Sequence, residues 1–146
     1  MKISTRVEYG MLALTDIALH SGDGGAVSAP DIAARQGISQ KYLEQIMTQL
    51  RQAGLIRAQK GLRGGYALTR PADKIRMDEI INALDTSILE ETKLREDSGE
   101  LQKAVNACLW QKMNRSMIEF AEKKVFSEFL GECREQMQGE WDLYVI

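Results

Sequence analysis

The chain has 146 residues, of which 44% are apolar and 27% charged, and its net charge is −2. These totals are typical of one globular domain or two small lobes, and no apolar run approaches the length of a membrane span. Two cysteines are too few for a disulfide framework, so we expect a protein of the reducing cytoplasm with no membrane partner.

The charge is divided unevenly along the chain. Residues 1–76 hold 11 Lys and Arg against 6 Asp and Glu, whereas residues 77–146 hold 8 against 15. A basic lobe facing phosphates and an acidic lobe turned away would explain this division. A chance split of solvated surface charge explains it equally well, so the charge alone does not decide the partner.

The first third of the chain predicts three helices. Apolar residues recur at helical spacing over residues 4–20, and "SGDGG" at 21–25 ends that helix. Ser28 caps a short second helix that stops at Gly37, and Ser39 caps a third helix that stops at Gly54. Two short helices joined by a glycine-containing turn form a helix-turn-helix pattern, although any pair of packed helices could produce it.

The segment "LIRAQKGLRGGYALTR", residues 55–70, predicts a β-hairpin with a long tip. Residues 55–58 and 66–69 have strand character, and the tip carries two flexible cations, Lys60 and Arg63. Its backbone can adopt unusual angles because it contains Gly61, Gly64 and Gly65. A helix fits the major groove of DNA and a neighbouring hairpin can place cations in the minor groove, so the combination predicts DNA binding.

The second half predicts further helices separated by a linker. A helix is expected from about Arg76 to Asp85, and the polar, aperiodic residues 86–99 indicate a linker or a mobile loop. A long helix begins at Glu100, and one more short helix is expected after residue 123. The apolar stripe of the long helix consists of Leu101, Val105, Leu109, Met113, Met117 and Phe120.

Three stretches of the chain resemble one family of bacterial transcription regulators. They are "MKISTRVEYGMLAL", "ISQKYLEQIMTQLRQAGLIRAQKGLRGGYAL" and the long helix after residue 100, and the family is the Rrf-two family. The resemblance covers nearly the whole chain. It implies a mainly α fold with a small β-hairpin: a winged helix-turn-helix domain over residues 1–85, a linker over 86–99, and a dimerisation helix with a C-terminal tail over 100–146.

The same resemblance implies a homodimer that binds roughly palindromic DNA. The apolar stripe of the long helix would form the dimer interface. Tyr42 adjoins the buried face of the third helix, so we expect it to pack rather than to contact a base. The implied DNA contacts are Thr5, Arg6 and Tyr9 on the first helix, Ser39, Gln40 and Lys41 on the recognition helix, and Lys60 and Arg63 in the wing.

The metal-sensing branch of this family carries three clustered cysteines that the present linker lacks. Only Cys108 stands near the place of the last one, and one thiolate cannot hold a cluster that needs four protein ligands. Glu8, His20 and a cysteine of the partner subunit are conceivable extra ligands, but we predict no metal and no cofactor. Cys108 is expected to pack as a small apolar side chain in the dimer helix, and a redox-responsive thiol is the alternative.

The chain ends in Tyr144-Val145-Ile146, which resembles the end of the CymR-like cysteine-metabolism repressors. They are the closest branch of the family, and they also start "MKIST". This resemblance implies a repressor of cysteine and sulfur metabolism genes whose signal comes from cysteine synthase (O-acetylserine sulfhydrylase), which would hold the tail. The alternatives are a tail packed on the dimer helix, and a redox or iron–sulfur-type sensor of a different regulon.

Two other functional classes fit the sequence less well. An enzyme needs a placed acid, base or nucleophile, and one histidine, two separated cysteines and no phosphate-binding loop offer little from which to build it. We therefore do not predict an enzyme. A module that binds another protein through its winged helix stays an alternative, and DNA binding with a weak dependence on salt would favour it.

Overall fold

The structure is a computed structural model that describes the backbone of residues 1–22 and 25–145 and the side chains of those residues up to 139. The fold is mainly α with a small antiparallel hairpin, as predicted. An uninterrupted helical run over residues 100–123 contains a π-helical turn, Asn106–Trp110. The elements are α1 (Thr5–His20), α2 (Ala29–Gln36), α3 (Gln40–Gln52), β1 (Ile56–Gln59), β2 (Gly65–Leu68), α4 (Met77–Leu84), α5 (Glu100–Val105), α6 (Gln111–Lys123) and α7 (Phe126–Val145).

Local capping residues set where the first three helices begin. The hydroxyls of Ser4, Ser28 and Ser39 each accept a hydrogen bond from the backbone N–H three residues on, at 3.2–3.3 Å. Such a cap contributes about 1 kcal/mol to helix stability. Gly37 ends α2 in the left-handed conformation, with φ of +66°. The predicted caps at Ser28 and Ser39 and the stop at Gly37 are confirmed.

The hairpin has a third backbone contact that its own sequence does not indicate. β1 pairs with β2 from Ile56 opposite Leu68 to Gln59 opposite Gly65. At both ends, β1 lies one residue later and β2 one residue earlier than predicted. Val27 and Tyr66 exchange backbone N–H to carbonyl hydrogen bonds of 2.8 Å in both directions. The loop before α2 therefore holds the base of the wing against the helix-turn-helix.

The core lies where α1, α2, α3 and α4 meet the start of α7. Its fully buried side chains include Leu14, Ile32, Leu43, Ile80 and Phe126. Each contributes about 1.5–3 kcal/mol by leaving water. Among the described residues, no helix is both long enough and apolar enough to cross a membrane.

The prediction of one short helix after residue 123 is wrong, because α7 is 20 residues long. Tertiary contacts fix where this helix begins. The Met77 N–H donates to the Lys124 carbonyl at 2.9 Å and the Phe126 N–H donates to the Ile75 carbonyl at 2.7 Å, so the start of α7 is fixed to the segment before α4.

The predicted tail lies beyond the part of the chain that the structure describes in full. α7 includes the backbone of Tyr144 and Val145, but their side chains, that of Trp141 and the whole of Ile146 lie outside the described residues. The division into residues 1–85, 86–99 and 100–146 stays a prediction.

A buried ion pair joins α1 to α2. The carboxylate of Asp16, 2% exposed, accepts two hydrogen bonds from Arg35, at 2.9 and 2.8 Å, and one from Gln36 at 2.8 Å. Burial by itself raises the pKa of Asp16, but the hydrogen bonds from Arg35 and Gln36 and the charges of Arg35 and His20 bring that pKa below its ordinary value. Asp16 is therefore ionised in the folded protein at neutral pH.

Arg35→Ala should destabilise the fold by leaving the Asp16 carboxylate buried without its cation. The Arg35 side chain is 35% exposed, so we expect a loss of about 1–3 kcal/mol, less than for a fully buried pair. Urea unfolding at several pH values measures it. Because the folded-state pKa of Asp16 is lowered, the contribution of the pair is present above an unfolded-state value of about 4 and is lost as the pH falls through the folded-state pKa.

The matched control is Arg51→Ala, at the exposed end of α3, which should change stability by less than about 0.5 kcal/mol. Equal effects of the two substitutions, or an Arg35→Ala effect that persists unchanged in acid, would contradict the assignment.

Candidate nucleic-acid interface

The first turn of α3 presents a polar face on a firmly buried helix. Leu43, Ile46, Met47 and Leu50 are buried, whereas Ser39, Gln40 and Lys41 are exposed. Gln45 is also exposed and follows Lys41 by one turn, so it shares this face. The sequence analysis did not include Gln45, although the spacing of four residues from Lys41 could have indicated it.

The aromatic rings of Tyr9 and Tyr42 connect α1 to α3. The two rings meet edge to face, with their centroids 5.8 Å apart and an interplanar angle of 76°. Both side chains are half-buried against the core, as expected for Tyr42. For Tyr9, predicted as a contact to the DNA backbone, packing against Tyr42 leaves only part of the side chain at the surface.

The exposed first turn of α1 holds the other two predicted contacts on this helix. Thr5 and Arg6 both lie at the surface there. Hydrogen bonds from Ser87, with a smaller contribution from the charge of Arg6, lower the pKa of Asp85. The positive charge of Arg6 therefore acts on the carboxylate of Asp85, at the end of α4, while its side chain faces solvent.

Glycines determine the shape of the wing tip. Gly61 and Gly65 have φ of +110° and +147°, which residues with a side chain rarely adopt. The Gly64 N–H donates to the Gly61 carbonyl at 3.0 Å, and a Cβ on Gly64 would come within 2.5 Å of the Gln59 carbonyl oxygen. At this tip Lys60, Leu62 and Arg63 all project into solvent.

Most of the apolar stripe of the long helix is exposed in the part of the chain that the structure describes. Leu101 and Phe120 are 77% and 65% exposed, and Val105, Leu109 and Met113 are exposed as well. Met117 is half-buried and joins Phe120 in the wall of an apolar groove of about 590 Å³ between α1, α4, the linker and α6. Exposed apolar surfaces of this kind are typical of interaction sites and ligand-binding grooves.

The structure separates the residues named as conceivable metal ligands. Cys108 is exposed in the π turn of the single chain, and its expected packing between two dimer helices stays a prediction. Glu8 lines the apolar groove, and His20 Nδ1 donates to the Asp16 carbonyl at 2.9 Å. Within the described ranges, no group of three or more His, Cys, Asp and Glu side chains is placed to hold a metal ion.

A buried, capped helix with an exposed polar first turn, next to a hairpin with a cationic tip, defines a winged helix-turn-helix protein. Residues 3–131 match the family described as Rrf2, iron-dependent transcriptional regulator. The chain belongs to this Rrf2 (Rrf-two) family of DNA-binding transcription regulators, and its relatives are regulators rather than enzymes.

Individual relatives agree with this assignment. The chain is 46% identical over 89 residues to the HTH-type transcriptional regulator IscR of Cereibacter sphaeroides, covering 60% of this chain and only 57% of that protein. It is 33% identical to the IscR of Erwinia tasmaniensis over 132 residues, covering 89% of this chain and 79% of that one. The structure of CymR, the global cysteine regulator of B. subtilis, superposes with a TM-score of 0.77 at 28% identity, covering 90% of this chain and 98% of that one.

Gly65→Ala should distort the wing and destabilise the protein. The added Cβ would lie 2.3 Å from the Val27 carbonyl oxygen, on a backbone that favours glycine, so we expect a loss of at least about 2 kcal/mol in chemical unfolding. Gly131→Ala is the control with the opposite sign. Its Cβ would meet nothing within 4 Å inside α7, so a gain of about 0.5–1 kcal/mol is expected. A Gly65→Ala protein as stable as the unmodified one would refute this account of the wing.

Proposed function

We propose that the chain is a homodimeric repressor that recognises a roughly palindromic DNA site through α3 and the wing. The observation that carries this proposal is the exposed first turn of α3, with Ser39, Gln40 and Lys41 projecting from a helix whose opposite face is buried. A helix with one face fixed in the core can insert its other face into the major groove as a rigid body.

The side chains of this turn have suitable chemistry for base contacts. A Gln amide can donate and accept toward adenine, and a Lys ammonium can donate to the two acceptors of guanine. Gln40 and Gln45 supply two amides and Lys41 one ammonium on the same face. Ser39 has a dual task, because its hydroxyl already accepts from the Tyr42 N–H at 3.2 Å as the helix cap.

The wing and α1 supply contacts on either side of the recognition helix. Lys60 and Arg63 extend from a tip whose backbone is held by glycines, and a cation at such a position suits a narrow minor groove. The exposed start of α1 offers Thr5 and Arg6 together with free backbone N–H groups, which attract phosphate. Tyr9 supports this helix end through its contact with Tyr42.

The homodimer is supported by the uncovered stripe of the long helix. A single chain leaves Leu101, Leu109 and Phe120 in water, and a second copy would remove this apolar surface from solvent. Dimerisation would also place two recognition helices on one face of DNA, as a palindromic site requires. The excess of acidic residues after residue 76 is consistent with a half of the chain that is turned away from phosphates.

The similarity to CymR supports control of cysteine and sulfur metabolism genes. We propose that cysteine synthase gives the signal by holding the C-terminal tail, Tyr144, Val145 and Ile146, in an arrangement that favours DNA binding. The competing candidate is a redox-sensing regulator of another regulon. It is favoured by one observation, the exposure of Cys108 in the π turn.

Lys41→Ala and Arg63→Ala should each weaken binding to operator DNA. Removing one phosphate contact lowers the steepness of the salt dependence by about 1, and removing a base contact costs about 1–3 kcal/mol. Fluorescence anisotropy at several salt concentrations separates these two effects.

The control for both substitutions is Arg134→Ala, an exposed arginine of α7, which should bind DNA as the unmodified protein does. Affinity that stays unchanged for Lys41→Ala and Arg63→Ala at every salt concentration would refute the proposed DNA face. Equal losses in all three variants would point to a general charge effect.

Deletion of Ile146 should abolish binding to purified cysteine synthase if the tail is the signal-receiving segment. This deletion removes the apolar side chain of Ile146 and moves the terminal carboxylate to Val145. Calorimetry measures the loss of binding directly. Equal binding by the full-length and shortened chains would assign the interface to another surface. Absence of binding by either chain would refute the cysteine synthase proposal and leave the DNA-binding proposal unaffected.

A further inference from the structure

A cavity at the base of the wing is separate from the proposed DNA face. It lies between the two strands of the wing, the end of α1 and the first half of α7, and we call it the wing-base cavity. Its volume is about 570 Å³, within the range of small-molecule sites in proteins. None of the described residues that line it is a proposed DNA contact or belongs to the apolar stripe of the long helix.

Three arginines from separate parts of the chain line the wing-base cavity. Arg57 belongs to β1, Arg70 follows β2, and Arg134 belongs to α7. Among the described residues that line the cavity, none is an Asp or a Glu. A cleft whose charged groups all have one sign focuses the electric field and attracts ions of the opposite sign. The lining of this cavity therefore selects an anion.

Two of the three guanidinium groups are free to meet an anion. Arg70 is already compensated, because it donates to the Lys74 carbonyl and forms an ion pair with Glu79. Arg57 and Arg134 are exposed, and neither forms an ion pair with a carboxylate in the described part of the chain. These two side chains come from elements that are far apart in the sequence, so the fold itself brings them to one cavity.

Ser127 adds neutral donors to the same cavity. It lies in the first turn of α7, where the backbone N–H has no partner within the helix, and it also carries a hydroxyl. The other hydroxyls of the lining are already used as donors. Thr69 donates to the Gly54 carbonyl at 2.6 Å, and Ser21 donates to the Ala18 carbonyl at 3.4 Å. The groups available to a ligand are therefore two guanidinium groups and Ser127.

We propose that the wing-base cavity binds a small phosphate monoester. Its phosphate group lies between the guanidinium groups of Arg57 and Arg134 and accepts from Ser127, and its organic group contacts Leu68 and Leu130. Because Arg57 belongs to the wing and Arg134 to α7, the bound ester ties the wing to α7. This site goes beyond the proposed DNA binding and does not depend on it.

The number of donors favours a phosphate ester over other anions. A phosphate monoester carries about 1.5–2 negative charges at neutral pH and three strong acceptor oxygens, which match two guanidinium groups and a further donor. A carboxylate is satisfied by a single guanidinium group in a bidentate pair, so it would leave the second one without a partner. Leu68, Pro71 and Leu130 add apolar surface that inorganic phosphate alone cannot use.

Titration calorimetry of the full chain without DNA tests the proposal. The probes are phenyl phosphate and adenosine monophosphate as esters, inorganic phosphate as the anion without an organic group, and benzoate as an aromatic carboxylate. All titrations share one ionic strength, because salt screens exposed charges. We expect saturable binding of at least one ester, weaker binding of inorganic phosphate, and the weakest binding of benzoate.

Substitutions locate the site. Arg57→Gln and Arg134→Gln should each weaken the affinity for the ester by about tenfold or more, because each removes charge-assisted hydrogen bonds to the phosphate group. Both side chains are exposed, so both variants should fold normally. Arg115→Gln, an exposed arginine of α6 outside the cavity, is the matched control and should bind the ester as the unmodified protein does.

Three results would overturn the proposal. They are the absence of saturable binding by both esters, binding of benzoate as tight as that of the esters, and ester binding that neither substitution weakens. If no ester binds while Arg57→Gln weakens binding to operator DNA and lowers the salt dependence, Arg57 contacts a phosphate of the DNA backbone instead. The calorimetric experiment needs no DNA, so its failure is distinguishable from failure of the proposed regulator function.

Discussion

The buried carboxylate of Asp16 is the constraint on which the DNA-binding lobe depends. It accepts hydrogen bonds from Arg35 and Gln36 and so fixes the end of α2 to the second half of α1. The contact between Tyr9 and Tyr42 fixes α3 to the start of the same helix. A buried ion pair adds little net stability, but a buried carboxylate without its partner is costly. The need to pair Asp16 therefore disfavours other packings of α1 and α2. The exposed turn of α3 and the start of α1 thereby have one fixed relative position.

The rest of the chain extends this rigid lobe without completing it. Hydrogen bonds between residues 75–77 and 124–126 fasten the start of α7 to the lobe, and Phe126 enters its core. The helix over residues 100–123 buries few side chains of its own, and most of its large apolar residues face solvent. A protein that folds one part completely and leaves another uncovered is suited to assembly, which is the physical basis for the proposed homodimer.

Local signals in the sequence were sufficient to predict the ends of α2 and α3, but not the contacts between elements that are far apart in the chain. Ser28, Ser39 and Gly37 act on their own helix ends, so capping rules could locate them. The start of α7, the Val27–Tyr66 bridge and the Asp16 ion pair depend on residues far apart in the chain, and no periodicity encodes them. The same holds for the candidate site, since the first turn of α3 and the wing follow from local patterns, whereas the contact of Tyr9 with Tyr42 joins two helices and follows from no local pattern.

The most direct test of the central claim is a selection of binding sites from random duplex DNA, followed by footprinting of the selected sequence. The account predicts an inverted repeat whose half-sites lie a whole number of helical turns apart, with major-groove protection in each half and minor-groove protection beside it. Enrichment of no sequence, or of a single unrepeated element with one protected segment, would contradict the account.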